Sequence, residues 1–297
     1  MVKYRWTSAD MPAMDGRTVM VTGANGGVGA ATAAAFTRAG AHVVLAVRDT
    51  QRGQTAARAM GGSTEVRELD LADLSSIRAF AQSWSNPLDI LINNAGVAGL
   101  AGTSTKDGFD LQFGTNHLGH FTLTNLFLPH LTDRVVTVAS GAHKSGTIHF
   151  DDLALRTRRY GFAASYGQSK LANLLFTLEL ERRLQQAGST VRSLAAHPGY
   201  AATSLGTKGQ PKTLVAAANL AGRIFAQTSE QGALPSLFAA TQDLPGASYI
   251  GPDGRGELRG SPTLVGRSAA ASDPTLARRL WEVSEELTGT GFGLDRH

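Results

Sequence analysis

Tyr166 and Lys170 stand four residues apart in a segment of helical spacing, so both side chains project from one helix face. An ammonium held beside a phenol stabilises the tyrosinate and lowers its pKa, the adjustment a general acid or base needs near neutral pH. Such a pair is also common in helices that do no chemistry. Ser140 changes its meaning. It directly follows the apolar run Arg134-Val135-Val136-Thr137-Val138-Ala139, and open α/β sheets present ligands at the carboxyl ends of their strands. Asn93-Asn94-Ala95-Gly96 holds the equivalent place after the run Asp89-Ile90-Leu91-Ile92.

A third strand end carries Thr22-Gly23-Ala24-Asn25-Gly26-Gly27-Val28-Gly29, entered by Val19-Met20-Val21 and left by the small-residue segment Ala30 to Phe36. A strand that turns on glycine into a helix sets unpaired N–H groups against an anion, as α/β proteins do for a dinucleotide pyrophosphate. Gly23, Gly27 and Gly29 suit the tight turn, the approach of backbone to phosphate and the close helix–sheet packing. Asn25, Gly26 and Val28 complete the cradle. Glycines serving only as turn formers are the alternative. The next strand, His42 to Val47, runs into Arg48-Asp49. A guanidinium there pairs with a ribose 2′-phosphate through its planar fork and favours NADP. Asp49 keeps NAD open, because one residue of register would place its carboxylate on a free ribose diol.

The elements that must position these groups are legible as an alternation of two periods. Runs at 18–21, 42–47, 65–69, 89–92 and 134–139 read as strands, nearly continuous in apolar residues as expected when helices cover both faces of a parallel sheet. Helical spacing lies between them at 29–39, 51–60, 74–83 and 112–130. A long helix from Tyr166 to Gln186, a strand at 190–196 stopped by Pro198-Gly199, helices at 212–228 and 230–241, a strand at 247–250 and a helix at 274–287 follow. No linker or composition break interrupts residues 1–260. The expectation is an α/β, doubly wound, mostly parallel sheet with helices on both faces, a Rossmann-type three-layer sandwich. It forms one domain over 1–297, with a core at about 16–255 and a C-terminal extension at about 256–297. Residues 199–211 read equally as a flap over the site or an ordinary surface loop.

Composition narrows the function classes. The absence of cysteine excludes disulfides and thiolate nucleophiles, and the scattered histidines show no zinc spacing, so no metal is expected. A net charge of +4, from 28 basic and 24 acidic residues, comes without a dense basic block; Arg156-Thr157-Arg158-Arg159 reads as a solvated loop, and no nucleic-acid partner is expected. No run reaches the roughly 18 apolar residues of a membrane span, and residues 1–14 lack a signal-peptide apolar region, which makes a cytoplasmic protein the default. Ser140 also lacks a Gly-x-Ser-x-Gly elbow, against a serine hydrolase.

Over about residues 16–255 the chain resembles the classical short-chain dehydrogenases/reductases. The matching elements are Thr22-Gly23 with Gly27 and Gly29, Asp70-Leu71, Asn93-Asn94-Ala95-Gly96, Asn116, Ser140, Tyr166 with Lys170, and Pro198-Gly199. The stretches Gln112 to Phe121 and Tyr166 to Asn173 are most similar to the retinol-dehydrogenase-like branch. The resemblance implies an NAD(P)-dependent oxidoreductase interconverting an alcohol and a carbonyl. Tyr166 would be its acid or base, Ser140 a hydrogen-bond partner of the substrate oxygen, and Lys170 a holder of the nicotinamide ribose. Asn116 would anchor a water relaying protons from the lysine. Asp70 and Leu71 would contact the adenine, Asn94, Ala95 and Gly96 would line the cofactor cleft, and Pro198, Gly199 and Thr203 would lie near the nicotinamide. A small apolar alcohol, ketone or aldehyde is the expected partner, and a homo-oligomer is open. Ala139 replaces a serine frequent in the family. The span of 26 positions from Ser140 to Tyr166 is longer than in compact members; its Phe150, Leu153, Tyr160 and Phe162 read equally as a pocket wall or as packing under a loop. The competing class is a dinucleotide-binding regulatory protein without turnover.

Overall fold

The computed structural model describes residues 5–98, 102–153, 162–200 and 227–295. In chain order it holds β1 (Thr18–Thr22), α1 (Gly27–Arg38), β2 (His42–Val47), α2 (Thr50–Met60), β3 (Thr64–Glu68), α3 (Leu74–Gln82) and β4 (Leu88–Asn93). A helical run, here α4, joins Leu111–Phe113, a π-turn at Gly114–Leu118 and Gly119–Phe127. Then come β5 (Leu131–Val138), α5 (Phe162–Gln186), β6 (Arg192–Ala196), α6 (Ser229–Thr241), β7 (Tyr249–Pro252), β8 (Pro262–Leu264) and α7 (Pro274–Thr288).

The strands form one sheet in the order β3-β2-β1-β4-β5-β6-β7-β8, parallel throughout except for the β7–β8 pair. Helices cover both faces, which makes the fold a three-layer α/β sandwich. Adjacent residues of β1 show why its strand is apolar without alternation. Val19 and Val21 pack with Phe36 of α1 and Leu237 of α6, whereas Met20 packs on the other face with Phe80, Phe121, Phe176 and Trp281. The order reverses at β1, which has β2 on one side and β4 on the other; the crevice at such a switch point is where an open sheet binds ligands. No described helix is long and apolar enough to cross a membrane.

The structure departs from the sequence reading in places, among them the start of α5 at Phe162 and not Tyr166. The helix expected to reach His130 ends at Phe127, because Pro129 tightens the chain into a 3₁₀ turn at Leu128–His130. Strand β5 then begins at Leu131, three residues early, where Asp133 is held by Arg17 beside β1. Strand β8 was not visible in the sequence. Its three residues carry no period, and its pairing partner lies ten residues upstream. The helix expected at 212–228 lies almost wholly outside the described residues.

Helix α7 joins the second face through Trp281, which is 2% exposed. The indole stacks on Phe176 at 5.7 Å and 9°, meets Phe121 edge-on at 4.8 Å, and donates through Nε1 to Glu285 at 2.6 Å. Asp273 caps the helix by accepting from Thr275 and Leu276 N–H, and Gly289 ends it in the left-handed region. Replacing Trp281 with Ala should lower the unfolding free energy by about 3–5 kcal/mol, the cost of removing a large buried aromatic. Urea denaturation read by far-UV circular dichroism checks this; a loss below about 1 kcal/mol would show that α7 is not part of the cooperative core.

Candidate functional site

The glycine turn and the segment after β4 meet at the switch point. Gly23 adopts φ +68° and donates its N–H to Ala46 O at 2.9 Å; a Cβ there would lie 3.0 Å from Ala95 Cα. A Cβ on Gly29 would lie 2.3 Å from Asn94 Nδ2, which instead donates to Thr22 O at 2.7 Å. Both positions therefore require glycine for close approach.

Helix α1 starts from this turn with no side chain on its first N–H groups. The starts of α2, α3, α4, α6 and α7 are each capped, by Asp49, Asp73, Asp110, Thr228 and Asp273. The unpaired start of α1 lies at exposed Gly26 and Gly27, with Asn25 half-buried and Val28 buried behind them. That is the chemistry an anion such as a pyrophosphate requires, so these residues fit a dinucleotide.

Arg48 is exposed just past β2. The neighbouring Asp49 accepts from Arg52 N–H at 3.0 Å as the cap of α2, so its carboxylate already has a structural task. Arg52 was missed by the sequence reading. Its Nη2 lies 3.7 Å from the point a Cβ on Gly26 would occupy, so a second guanidinium stands over the turn. The signal was its place one helical turn after Arg48, on the first turn of α2. Asp70 lies past β3, half-buried, with Oδ1 accepting from Ala72 N–H at 2.9 Å, and Leu71 is buried. Gly199, after β6, donates its N–H to His197 Nδ1 at 3.3 Å, and Gln227 Nε2 donates to Pro198 O. Thr203 and Tyr160 lie outside the described residues.

Ser140 ends the β5 segment and opens a 3₁₀ turn at Gly141–Ser145, accepting from Ala142 N–H at 3.2 Å. Burial pushes the Tyr166 hydroxyl on α5 above its ordinary pKa, and the Ser140 hydroxyl draws it partly back. Lys170 is 3% exposed and one turn further along. Its Nζ donates to Val138 O at 3.0 Å and stands 5.6 Å from the centre of the Tyr166 ring. Burial alone pushes this ammonium down to about 8. Desolvation governs the phenol in this geometry, with the Lys170 ammonium turned to the Val138 carbonyl.

Asn116 sits in the π-turn of α4, fully buried. Its side chain clamps the chain after β4, accepting from Val97 N–H at 2.8 Å and donating to Val97 O and Ser169 Oγ, each at 3.0 Å. Its carbonyl accepts from His120 Nδ1 at 3.0 Å. These bonds bring the two halves of the site together. A Cβ on Gly96 would lie 3.4 Å from Asn116 Oδ1 and 3.6 Å from Lys170 Nζ.

The sequence reading also missed Glu257. It holds φ +58°, rare for a side-chain-bearing residue, and lies 3.2 Å from both Lys144 Nζ and His197 Nε2, so it ties the hairpin after β7 to the turn after Ser140. Leu153 packs with Phe113 and Leu171 in a buried cluster, and half-buried Phe150 packs against it.

The family model described as short chain dehydrogenase matches residues 17–213. Retinol dehydrogenase 13 of Homo sapiens is 43% identical over 290 residues, covering 92% of this chain and 85% of the relative. An uncharacterised protein from Mycobacterium paratuberculosis has a crystal structure 52% identical in sequence with TM-score 0.86, covering 97% of this chain and 99% of that one. A structure described as an NAD(P)-dependent gluconate 5-dehydrogenase from Beutenbergia cavernae, with bound NADP, is 28% identical with TM-score 0.59, covering 77% and 91%. With the switch-point cradle, the Ser140–Tyr166–Lys170 set and these likenesses together, the chain belongs to the short-chain dehydrogenase family, in its retinol-dehydrogenase-like branch.

Proposed function

We propose that this oxidoreductase interconverts an alcohol and a carbonyl on an apolar small molecule, with Tyr166 as the proton donor and acceptor and NADP(H) as cofactor. The carrying observation is a buried lysine one turn from Tyr166, its Nζ 5.6 Å from the centre of the phenol ring, beside the strand end that bears Ser140. A bound nicotinamide dinucleotide would supply or take the hydride. In reduction, Tyr166 gives its phenolic proton to the substrate oxygen, and Ser140 donates a hydrogen bond that stabilises charge there. The Lys170 ammonium stabilises the phenolate left behind and has N–H groups beyond the one on Val138 O for the ribose hydroxyls. Oxidation runs the same transfers in reverse.

Two features support the finer reading. Arg48 past β2 and Arg52 over Gly26 bring two guanidiniums to the edge of the turn, while Asp49 is engaged in capping, which supports NADP over NAD. Tyr200 and Leu258 are 46% and 51% exposed and joined by a bond from Tyr200 N–H to Leu258 O at 2.8 Å, just past Pro198-Gly199. They offer an apolar rim, in keeping with a relative named for retinol.

Three outcomes follow. Tyr166→Phe should cut kcat by about 10²–10⁴-fold, the usual worth of a general acid, while NADPH still binds; retained turnover on an alcohol and ketone panel would remove Tyr166 from the chemistry. Arg48→Ala should raise the NADPH Kd about 10- to 100-fold through loss of a charged hydrogen bond and leave NADH nearly unchanged. Equal losses for both cofactors, read by fluorescence titration, would remove the 2′-phosphate role. Lys170 is charged below about pH 8 and neutral above it, so carbonyl-reduction kcat/KM should fall as pH rises through that value. In Lys170→Arg the charge persists and this limb should disappear from whatever activity remains; an unchanged limb would assign it to another group.

A further inference from the structure

The hydroxyl of Thr22 has one proton and two lone pairs, and the structure occupies all three. It accepts from Asn94 N–H and from Ala95 N–H, both at 2.9 Å. With both lone pairs engaged, its proton must go outward, and the nearer acceptor is His120 Nε2 at 2.9 Å, against Ile92 O at 3.4 Å. The other ring nitrogen, Nδ1, faces the Asn116 carbonyl at 3.0 Å. A carbonyl only accepts, so Nδ1 carries the hydrogen and Nε2 is bare. The two bonds thus require the same neutral tautomer. His120 is 1% exposed, and burial pushes it down to about 4, with the nearby Lys170 charge acting in the same direction.

We propose that His120 is a positioning residue that couples the dinucleotide seat to the catalytic helix, holding Thr22 at one ring nitrogen and the Asn116 carbonyl in the π-turn at the other. The segment after β4 is gripped twice, at Asn94–Ala95 by Thr22 and at Val97 by Asn116. His120 joins the two grips into one chain. Such a chain is cooperative, because each bond polarises the next and fixes which atom carries the proton. The π-turn gives Asn116 its clamp on Val97 and sets its carbonyl under the imidazole; inserted π-turns of this kind occur at functional sites. This inference rests on the reading of residues 22–29 as a dinucleotide seat.

Two substitutions separate the bonds. His120→Leu removes both. His120→Asn keeps a donor for the carbonyl four residues back, as Asn125 already does toward Phe121 O at 2.9 Å in the same helix, but falls short of Thr22. Both should weaken NADPH binding about tenfold, the worth of one buried hydrogen bond. Only His120→Leu should also lower kcat at saturating cofactor, and His120→Asn should restore it. In a cycle with Thr22→Val, the double variant with His120→Leu should bind NADPH no more weakly than the worse single variant. Losses in Kd that multiply, or a kcat that His120→Asn does not restore, overturn the coupling. A second measurement needs no substitution: nitrogen-15 shifts of the imidazole should show Nδ1–H with bare Nε2 from pH 5.5 to 8. An Nε2–H tautomer or a cation overturns the coupling even where the variants fail to fold. A wild-type protein that binds neither NADPH nor NADH would overturn the seat itself, and this proposal with it.

Discussion

A close approach that only glycine permits governs the carboxyl edge of this sheet. The turn after β1 and the segment after β4 touch through bare backbone, with Gly23 and Gly29 set against Asn94 and Ala95. Because they touch, the anion-binding start of α1 cannot shift without moving the segment that ends at Val97. Asn116 fixes that segment to α4, and Ser169 carries the contact on to α5, the helix bearing Tyr166 and Lys170. The two ends of a dinucleotide thus meet parts of one rigid assembly. Strand order makes this possible: β1 and β4 are neighbours in the sheet although three helices and two strands separate them in the chain.

Electrostatics at the far end of that assembly come from what is withheld. A buried ammonium ordinarily stands beside a carboxylate, and desolvation is expensive without one. Lys170 has a carbonyl instead, which orients the charge without neutralising it. The cation remains available to a phenolate forming on Tyr166 or to polar groups brought by a ligand. Ser140, at the end of β5, eases the phenol's pKa back from the rise that burial gives it.

Local features were readable before the fold was known. The glycine turn, the apolar strands and Ser140 at a strand end all depend on residues within a few positions of one another. Two-sided burial explains the unbroken run His42 to Val47, and that run alone placed Arg48 at the ligand edge. Long-range features were not readable. The Asn116 clamp on Val97 and Glu257 between Lys144 and His197 each join segments that neither spacing nor periodicity relates. Asp49 illustrates the limit well. Its type and position suited a ribose contact, and only the N–H of Arg52 shows that a helix cap has claimed it. Strand β8 failed for a different reason, since three residues are too few to display a period.

The docking of Trp281 has a bearing on the order in which the molecule is built. Helix α5 lies in the middle of the chain, yet one of its faces, at Phe176, is covered by residues more than a hundred positions later. The two strands at one edge of the sheet, β7 and β8, are likewise the last to be made. During synthesis the ribosome must release residues 249–292 before this face can close. Until then the helix that carries Tyr166 and Lys170 presents an uncovered aromatic surface of the kind that chaperones bind. Assembly of the site is therefore a late event on the nascent chain, completed from the C-terminal side rather than from the glycine turn at its beginning.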